Sequence, residues 1–260
     1  MSRVWLIARR EWLEQVRQPS MLASFAVLLS LVGGLFFLIL GMFDLVAGTP
    51  AKMELFQRNL DAAGVKGGVS LEAFTGVVVN FYNFMSFTQV LGISAMLAGH
   101  AILHDRTHHT LPFLFLAPVR RAELLAGKVL GATGLPLAGS ILINGLIGLA
   151  CAALDITATY DDRLPPAPGW IVGFLFAGPA WTLCVATLCA IVSSFARDVR
   201  TAQQGVWVIV FFATITCGVA INALVPAGAI AEGILAILGI GAAGVALAGG
   251  SMLLSRELTR

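Results

Sequence analysis

An all-α bundle that crosses a membrane about six times is the fold this sequence predicts, and three observations carry the prediction. The first is composition. Of 260 residues, 58% are hydrophobic and only 12% charged, and the mean hydropathy is +0.90. A soluble domain carries about twice that share of charge, and this much apolar surface does not fit into one water-soluble core. The second is continuity. Six runs, at about 22–43, 76–103, 129–154, 169–196, 201–225 and 229–255, contain no Asp, Glu, Lys or Arg except Glu232. Each is long enough to cross the hydrocarbon as a helix, which takes about 20 residues, and none alternates as the strands of a membrane barrel do. The third is charge asymmetry. Twelve of the 16 Lys and Arg residues fall before the first run, between the second and third, between the fourth and fifth, or after the sixth. The basic side faces the cytoplasm, which places both termini there and the protein in the inner (cytoplasmic) membrane. A net charge of +2 gives no ground for a nucleic-acid partner.

The elements follow in order. Residues 1–20 read as an interfacial helix. Trp5, Ala8, Trp12 and Val16 share one face, and Arg3, Arg10, Glu14 and Arg17 the opposite one, with Arg9 interrupting the apolar side. Such a helix lies on the inner leaflet with Trp5 and Trp12 as anchors at headgroup depth. Pro19 and Ser20 then turn the chain into the membrane domain, 21–260. Its first apolar run is too long for the core of a secretory signal. In the external segment 47–75, Met53, Phe56, Leu60 and Ala63 recur at helical spacing and Gly64 can end the helix. This short amphipathic helix either caps a pathway or packs on the span ends. The second span carries Asn80, Asn83, Phe87 and Gln89, polar and aromatic groups that line a pathway or a subunit interface. His100, near its end, reads as a hydrogen-bonded packing residue. The last two runs form a hairpin about Asn222, Pro226 and Gly228.

Catalytic chemistry finds no constellation. Cys151, Cys184, Cys189 and Cys217 all lie in apolar runs without zinc spacing or a disulfide framework, and His108 and His109 are adjacent, a poor geometry for one metal. Gly127-Lys128 is not a phosphate loop, because Ala122 stands where Gly is needed and Val129 where Ser or Thr is needed. Leu247-Ala248-Gly249-Gly250-Ser251 superficially resembles an ATPase signature loop, but it lies in an apolar run and reads as small residues for helix packing.

The most informative stretch is 105–128, on the cytoplasmic side by charge. After Asp105 and Arg106 it presents Thr110-Leu111, then Phe113, Leu114 and Phe115, then Pro118, Arg121, Glu123, Gly127 and Lys128. A short apolar patch displayed to the cytoplasm needs a partner surface to cover it. Pro118 can begin a helix at Val119 that continues into the third span.

Here the chain resembles the membrane subunits of ABC exporters of the type-two permease superfamily. The matching positions are Asp105, Thr110, Leu111, Leu114, Pro118, Arg121, Glu123, Gly127 and Lys128. Ala8-Arg9-Arg10-Glu11-Trp12 matches the amphipathic start, and Ser193-Ser194-Phe195-Ala196-Arg197 with Ala202-Gln203-Gln204 match ahead of the fifth span. His109 stands where the family has Gly, and Pro112 where it has Glu. The resemblance implies a permease that is not itself an enzyme, pairs with a second permease in a homo- or heterodimer, and docks a separate ATPase subunit. No cofactor is then expected on this chain, since ATP and Mg belong to the partner. Within a coupling segment 104–124, the stretch around Thr110 to Leu116 would be the coupling helix, with Leu111, Phe113, Leu114 and Phe115 as docking surface and Asp105, Arg106 and Arg121 as polar anchors. Two other classes stay open: an ATP-independent secondary transporter or channel, and a membrane scaffold that recruits a cytosolic partner.

Overall fold

Inside a membrane no water satisfies the peptide groups, so an apolar run bonds them within itself as a helix. The computed structural model follows that rule. It describes residues 3–17, 23, 26–27, 30–31, 33–38, 41, 50–62, 71–107, 120–153, 171–196, 198–224 and 228–257, among which there is no strand. The helices are α1 (Arg3–Val16), α2 (Pro50–Ala62), α3 (Leu71–Thr107), α4 (Arg121–Ala153), α5 (Gly178–Phe195, preceded by a π-helical turn Gly173–Ala177), α6 (Val199–Leu224) and α7 (Gly228–Glu257). The described positions of the first apolar run are helical too. Among the described residues, four stretches are long and apolar enough to cross a membrane: Phe81–Leu103, Arg121–Ala153, Gly173–Phe195 and Gly233–Leu253. Residues 155–168, between the third and fourth apolar runs, and residues 225–227, where the hairpin is expected, lie outside the described residues.

Local chemistry sets the helix starts. At α4 the Glu123 carboxylate accepts the Arg120 backbone N–H at 2.9 Å, the reciprocal half of a capping box. The helix therefore begins at Arg121, two residues later than Pro118 suggests. At α6, Asp198 accepts the Thr201 N–H at 2.7 Å. That bond holds the Asp198 carboxyl below its ordinary value and satisfies one of the helix's free donors. The π-turn precedes a proline. Pro179 has no N–H to give the preceding turn, and the Gly178 N–H reaches back five residues to the Gly173 carbonyl.

α3 and α5 form the centre. α3 packs on α4, α5 and α6, and α5 also packs on α4, α6 and α7, while α1 lies on α4. Where α3, α4 and α5 meet, the core is Ala98, Ile102, Leu125, Val129, Ala132, Ala186, Ala190 and Ile191. Where α3, α5 and α6 meet, it is Leu91, Ala95, Val185, Cys189, Val206 and Val210. Small residues let the backbones approach, which matters in lipid because apolar burial supplies no drive there. Gly250 shows the closeness: a Cβ on it would fall 2.5 Å from Ile191 Cδ1. Cys151, Cys184 and Cys189 are buried thiols with no disulfide.

The polarity is the reverse of a soluble protein's. Leu149, Ile237 and Val245 are at least 70% exposed, whereas Asn144 and Ser140 are 2% exposed. Thr133, Thr182 and Thr187 return their hydroxyls to carbonyls one turn back at 2.7–2.9 Å, so no donor is offered to the surroundings. A large apolar exterior over a hydrogen-bonded interior is what lipid selects.

Candidate functional site

At about 100° per residue, α1 divides into three sectors rather than the two its sequence pattern suggests. Arg3, Arg10, Glu14 and Arg17 form a charged, exposed sector, in which Arg10 donates to Glu14 at 2.9 Å. That bond holds the Arg10 guanidinium further above its ordinary value. Trp5, Leu6, Leu13 and Val16 form an exposed apolar sector interrupted by Arg9. Ala8 and Gln15 are buried, and with Ile7, Glu11 and Trp12 they form the third sector, which meets α4.

The α4 seat consists of Gly127, Gly131 and Gly134, one or two turns apart on one face. A Cβ on Gly127 would come 2.7 Å from Ile7 Cβ, one on Gly131 2.5 Å from Glu11 Cβ, and one on Gly134 would strike the Trp12 indole. Polar bonds fix the register. Trp12 Nε1 donates to the Leu130 carbonyl at 3.1 Å, and Gln15 Nε2 to the Gly131 carbonyl at 3.2 Å. Trp12 is thus tied to α4, and the ring of the more exposed Trp5 packs edge-on against it at 5.0 Å. Ala8, expected on the lipid face, lies at 0% exposure because the glycines of α4 admit that flank of the helix. Gly131→Leu is expected to lift α1 off, since its Cβ would fall 2.5 Å from Glu11 Cβ and 2.9 Å from Glu11 Cγ, and a Cβ is fixed to the α1 backbone and cannot swing aside as a side-chain tip does. Overpacking of this kind costs about 1–3 kcal/mol or more. Thiol labelling checks it: a cysteine at Ala8 should resist reagent in the otherwise native chain and react in the Gly131→Leu background.

A buried ionic cluster joins three helices beside this seat. Lys128 of α4 donates to Glu11 Oε1 of α1 at 3.0 Å, to the Ala101 carbonyl of α3 at 2.9 Å, and pairs with Asp105 of α3. The Lys128 and Asp105 side chains are 6% and 9% exposed, and that of Glu11 is 17%. Two of the ammonium's three donors make these hydrogen bonds to Glu11 and Ala101, and the Asp105 carboxylate adds its charge as the ion-pair partner. Asp105 therefore faces inward at the root of the expected coupling segment. The sequence pattern does not reveal this role of Lys128, because its acceptors lie 117 and 27 residues away in the chain.

The other expected site residues separate. Thr110, Leu111, Phe113, Leu114, Phe115 and Pro118, with His108 and His109, lie outside the described residues, and so does the Arg106 side chain. Arg121 is half-buried, and Glu123 caps α4. On α3, Asn80, Asn83 and Phe87 share one side by helical phase. Phe87 packs into the core between α3, α5 and α6; the Asn80 side chain is outside the described residues. Gln89 falls on the opposite side, in phase with Tyr82 and Ser86, so the four residues do not form one face. His100 is exposed, its ring nitrogen 3.4 Å from Gln203 Nε2.

A polar knot that is not among the residues expected from sequence sits between α3 and α4. Asn144 Nδ2 donates to Ser86 Oγ at 3.1 Å and to the Ser140 carbonyl at 3.0 Å, while the Tyr82 hydroxyl donates to Asn144 Oδ1. Phe36 of the first apolar run covers it, 4.3 Å from the Tyr82 ring. The signal was available: Asn144 is a lone amide in an otherwise apolar run, with Ser140 one turn before it. Its bonds are satisfied internally, which reads as glue between spans rather than a ligand site. Among the described residues no group of His, Cys, Asp or Glu could hold a metal ion.

A family model described as ABC-2 family transporter protein matches residues 5–253. The chain belongs to the ABC-2 transporter family. It is therefore an integral membrane protein and a permease of an ABC transporter, a transport component rather than a catalyst, of a family that works with an ATPase subunit. Neither the curated proteins nor the solved structures compared with it contain a significant match. The ABC-2 match runs through α1, the Lys128 cluster and α7 alike, so the junction at α1 is part of the family domain and not an appendage.

Proposed function

We propose that this ABC-2 permease is the membrane subunit of an ATP-driven exporter. Two permeases pair, each made of an interfacial helix (1–20) and a six-span domain (21–260) with both termini cytoplasmic, in the inner membrane. A separate ATPase binds ATP and Mg. It docks on the 104–124 segment through Leu111, Phe113, Leu114 and Phe115, with Thr110, Arg106, Arg121 and Glu123 at its margins. Of the four residues expected there, Asn80 and Asn83, which share one side of α3 by helical phase, face the pathway or the permease pair interface.

The observation that carries this reading is the Asp105–Lys128 ion pair. It locks the end of α3 to the start of α4 on either side of residues 108–119. Displacement of a segment held between two locked spans moves both spans, which is what a coupling element requires. Purification tests the proposal. A tagged permease should bring down an ATPase subunit in a complex of two permeases and two ATPases. A monomeric permease in an active, ATPase-bound complex would contradict the pairing. For topology, cysteines placed at Gly64 and Asp161 should react with an impermeant reagent added outside. Labelling only from the cytoplasmic face sinks the orientation.

A further inference from the structure

A carboxylate buried beside a helix end usually finds one cation. Lys128 instead serves two carboxylates on two different helices and a carbonyl of the second, with all three charged side chains largely out of water. Each link reaches a different part of the machinery. Asp105 and Ala101 belong to the end of α3, from which the 108–119 segment departs. Glu11 belongs to the middle of α1, one turn before Gln15 and beside Trp12, both of which bond to α4. The Lys128 ammonium thus joins α1 to the end of α3.

We infer that Lys128 is a positioning residue that makes α1, the end of α3 and the start of α4 one mechanical block, so that a nucleotide-driven displacement of the 108–119 segment carries α1 with it. The inference rests on the docking reading above for its driving force, but not for the block itself. Removal of the charge frees two carboxylates to seek water, and water is reached by parting α1 from α3. Helices that differ in their contacts between two states then move separately.

Pulsed distance measurements between spin labels test both parts, in a chain whose four cysteines are replaced by alanine. Labels at Leu6→Cys and His100→Cys, both exposed positions, report α1 against α3 in the permease alone. The parent chain should give one narrow distance, and Lys128→Arg should keep it. Lys128→Met should add a second, longer distance. Because that variant leaves two buried carboxylates and can fail to fold, the triple variant Glu11→Gln, Asp105→Asn, Lys128→Met is measured beside it. It keeps the volume without the charge, and it too should lose the single narrow distance. If a folded triple variant retains the narrow distance, the block is not held by Lys128 and the inference is overturned.

A second pair, Leu6→Cys with Leu253→Cys on α7, reports α1 against the bundle in the complex with its ATPase. A non-hydrolysable ATP analogue should shift this distance in the parent complex and not in the triple variant. A parent complex with bound ATPase whose distance ignores the nucleotide overturns the transmission to α1. Failure of the ATPase to bind at all counts against the docking reading alone, and the first pair then decides the block.

Discussion

Replacing Phe113 and Leu114 together by aspartate is expected to release the ATPase subunit while the permease stays inserted. The segment lies outside the apolar runs, so membrane insertion does not depend on it. Apolar anchors docked in a partner cleft cost about 2 kcal/mol each when truncated. Two of them weaken binding on the order of a thousandfold, and buried aspartates add desolvation on top. After gentle solubilisation the ATPase should no longer co-purify with the double variant, and ATP-driven transport should fail. Membrane-fraction blots should show the permease at its usual level. If the variant keeps its ATPase bound and still transports, the coupling segment lies elsewhere and the proposed mechanism loses its main support.

The second large effect concerns stability. Lys128→Met removes the ammonium that Glu11 and Asp105 share, at 17% and 9% side-chain exposure. Breaking a buried ion pair from one side costs about 3–5 kcal/mol, whereas neutralising all members together is often neutral or stabilising. The single variant should unfold at a temperature lower by on the order of 10 °C, and the triple neutral variant within a few degrees of the parent. Thermal unfolding of the purified permease in detergent, followed by size-exclusion, measures both. Equal losses for the two would mean that the lysine stem, and not the charge, matters at this position.

Much of the fold was legible because a membrane helix announces itself along the chain. The runs at 129–154 and 169–196 correspond to α4 and α5, and the spacing of Met53, Phe56 and Leu60 to α2. Helix caps shift the ends by a residue or two, as Glu123 does at α4. What sequence could not show is which flank of a helix meets which neighbour. Glu11 looks like one more charge on an amphipathic helix until Lys128 is placed against it. Gly131 and Gly134 look like ordinary small residues of a span until α1 lies on them. Gln89 shares a stretch with Asn80 and Asn83 but not a face, because periodicity within one helix decides sides and only packing decides what each side meets. Asn144 was legible in principle as a solitary amide, and its partners Tyr82 and Ser86 stand 62 and 58 residues away.

The seat of α1 also has a consequence in time. Glu11 and Lys128 are 117 residues apart, and a ribosome adds about 5–20 residues per second. On the order of ten seconds therefore passes between the emergence of α1 and the synthesis of the helix it docks on. During that interval Glu11, Gln15 and the Trp12 indole have no α4 to bond, so α1 waits at the water-facing surface of the membrane with its polar flank hydrated. Its docking is a late event in assembly, completed only after α3 has supplied Asp105 and α4 has delivered Lys128 with three glycines beside it. An element early in translation order is thus late in assembly order, and the chaperones and insertion machinery of the cell meet this permease with α1 still undocked.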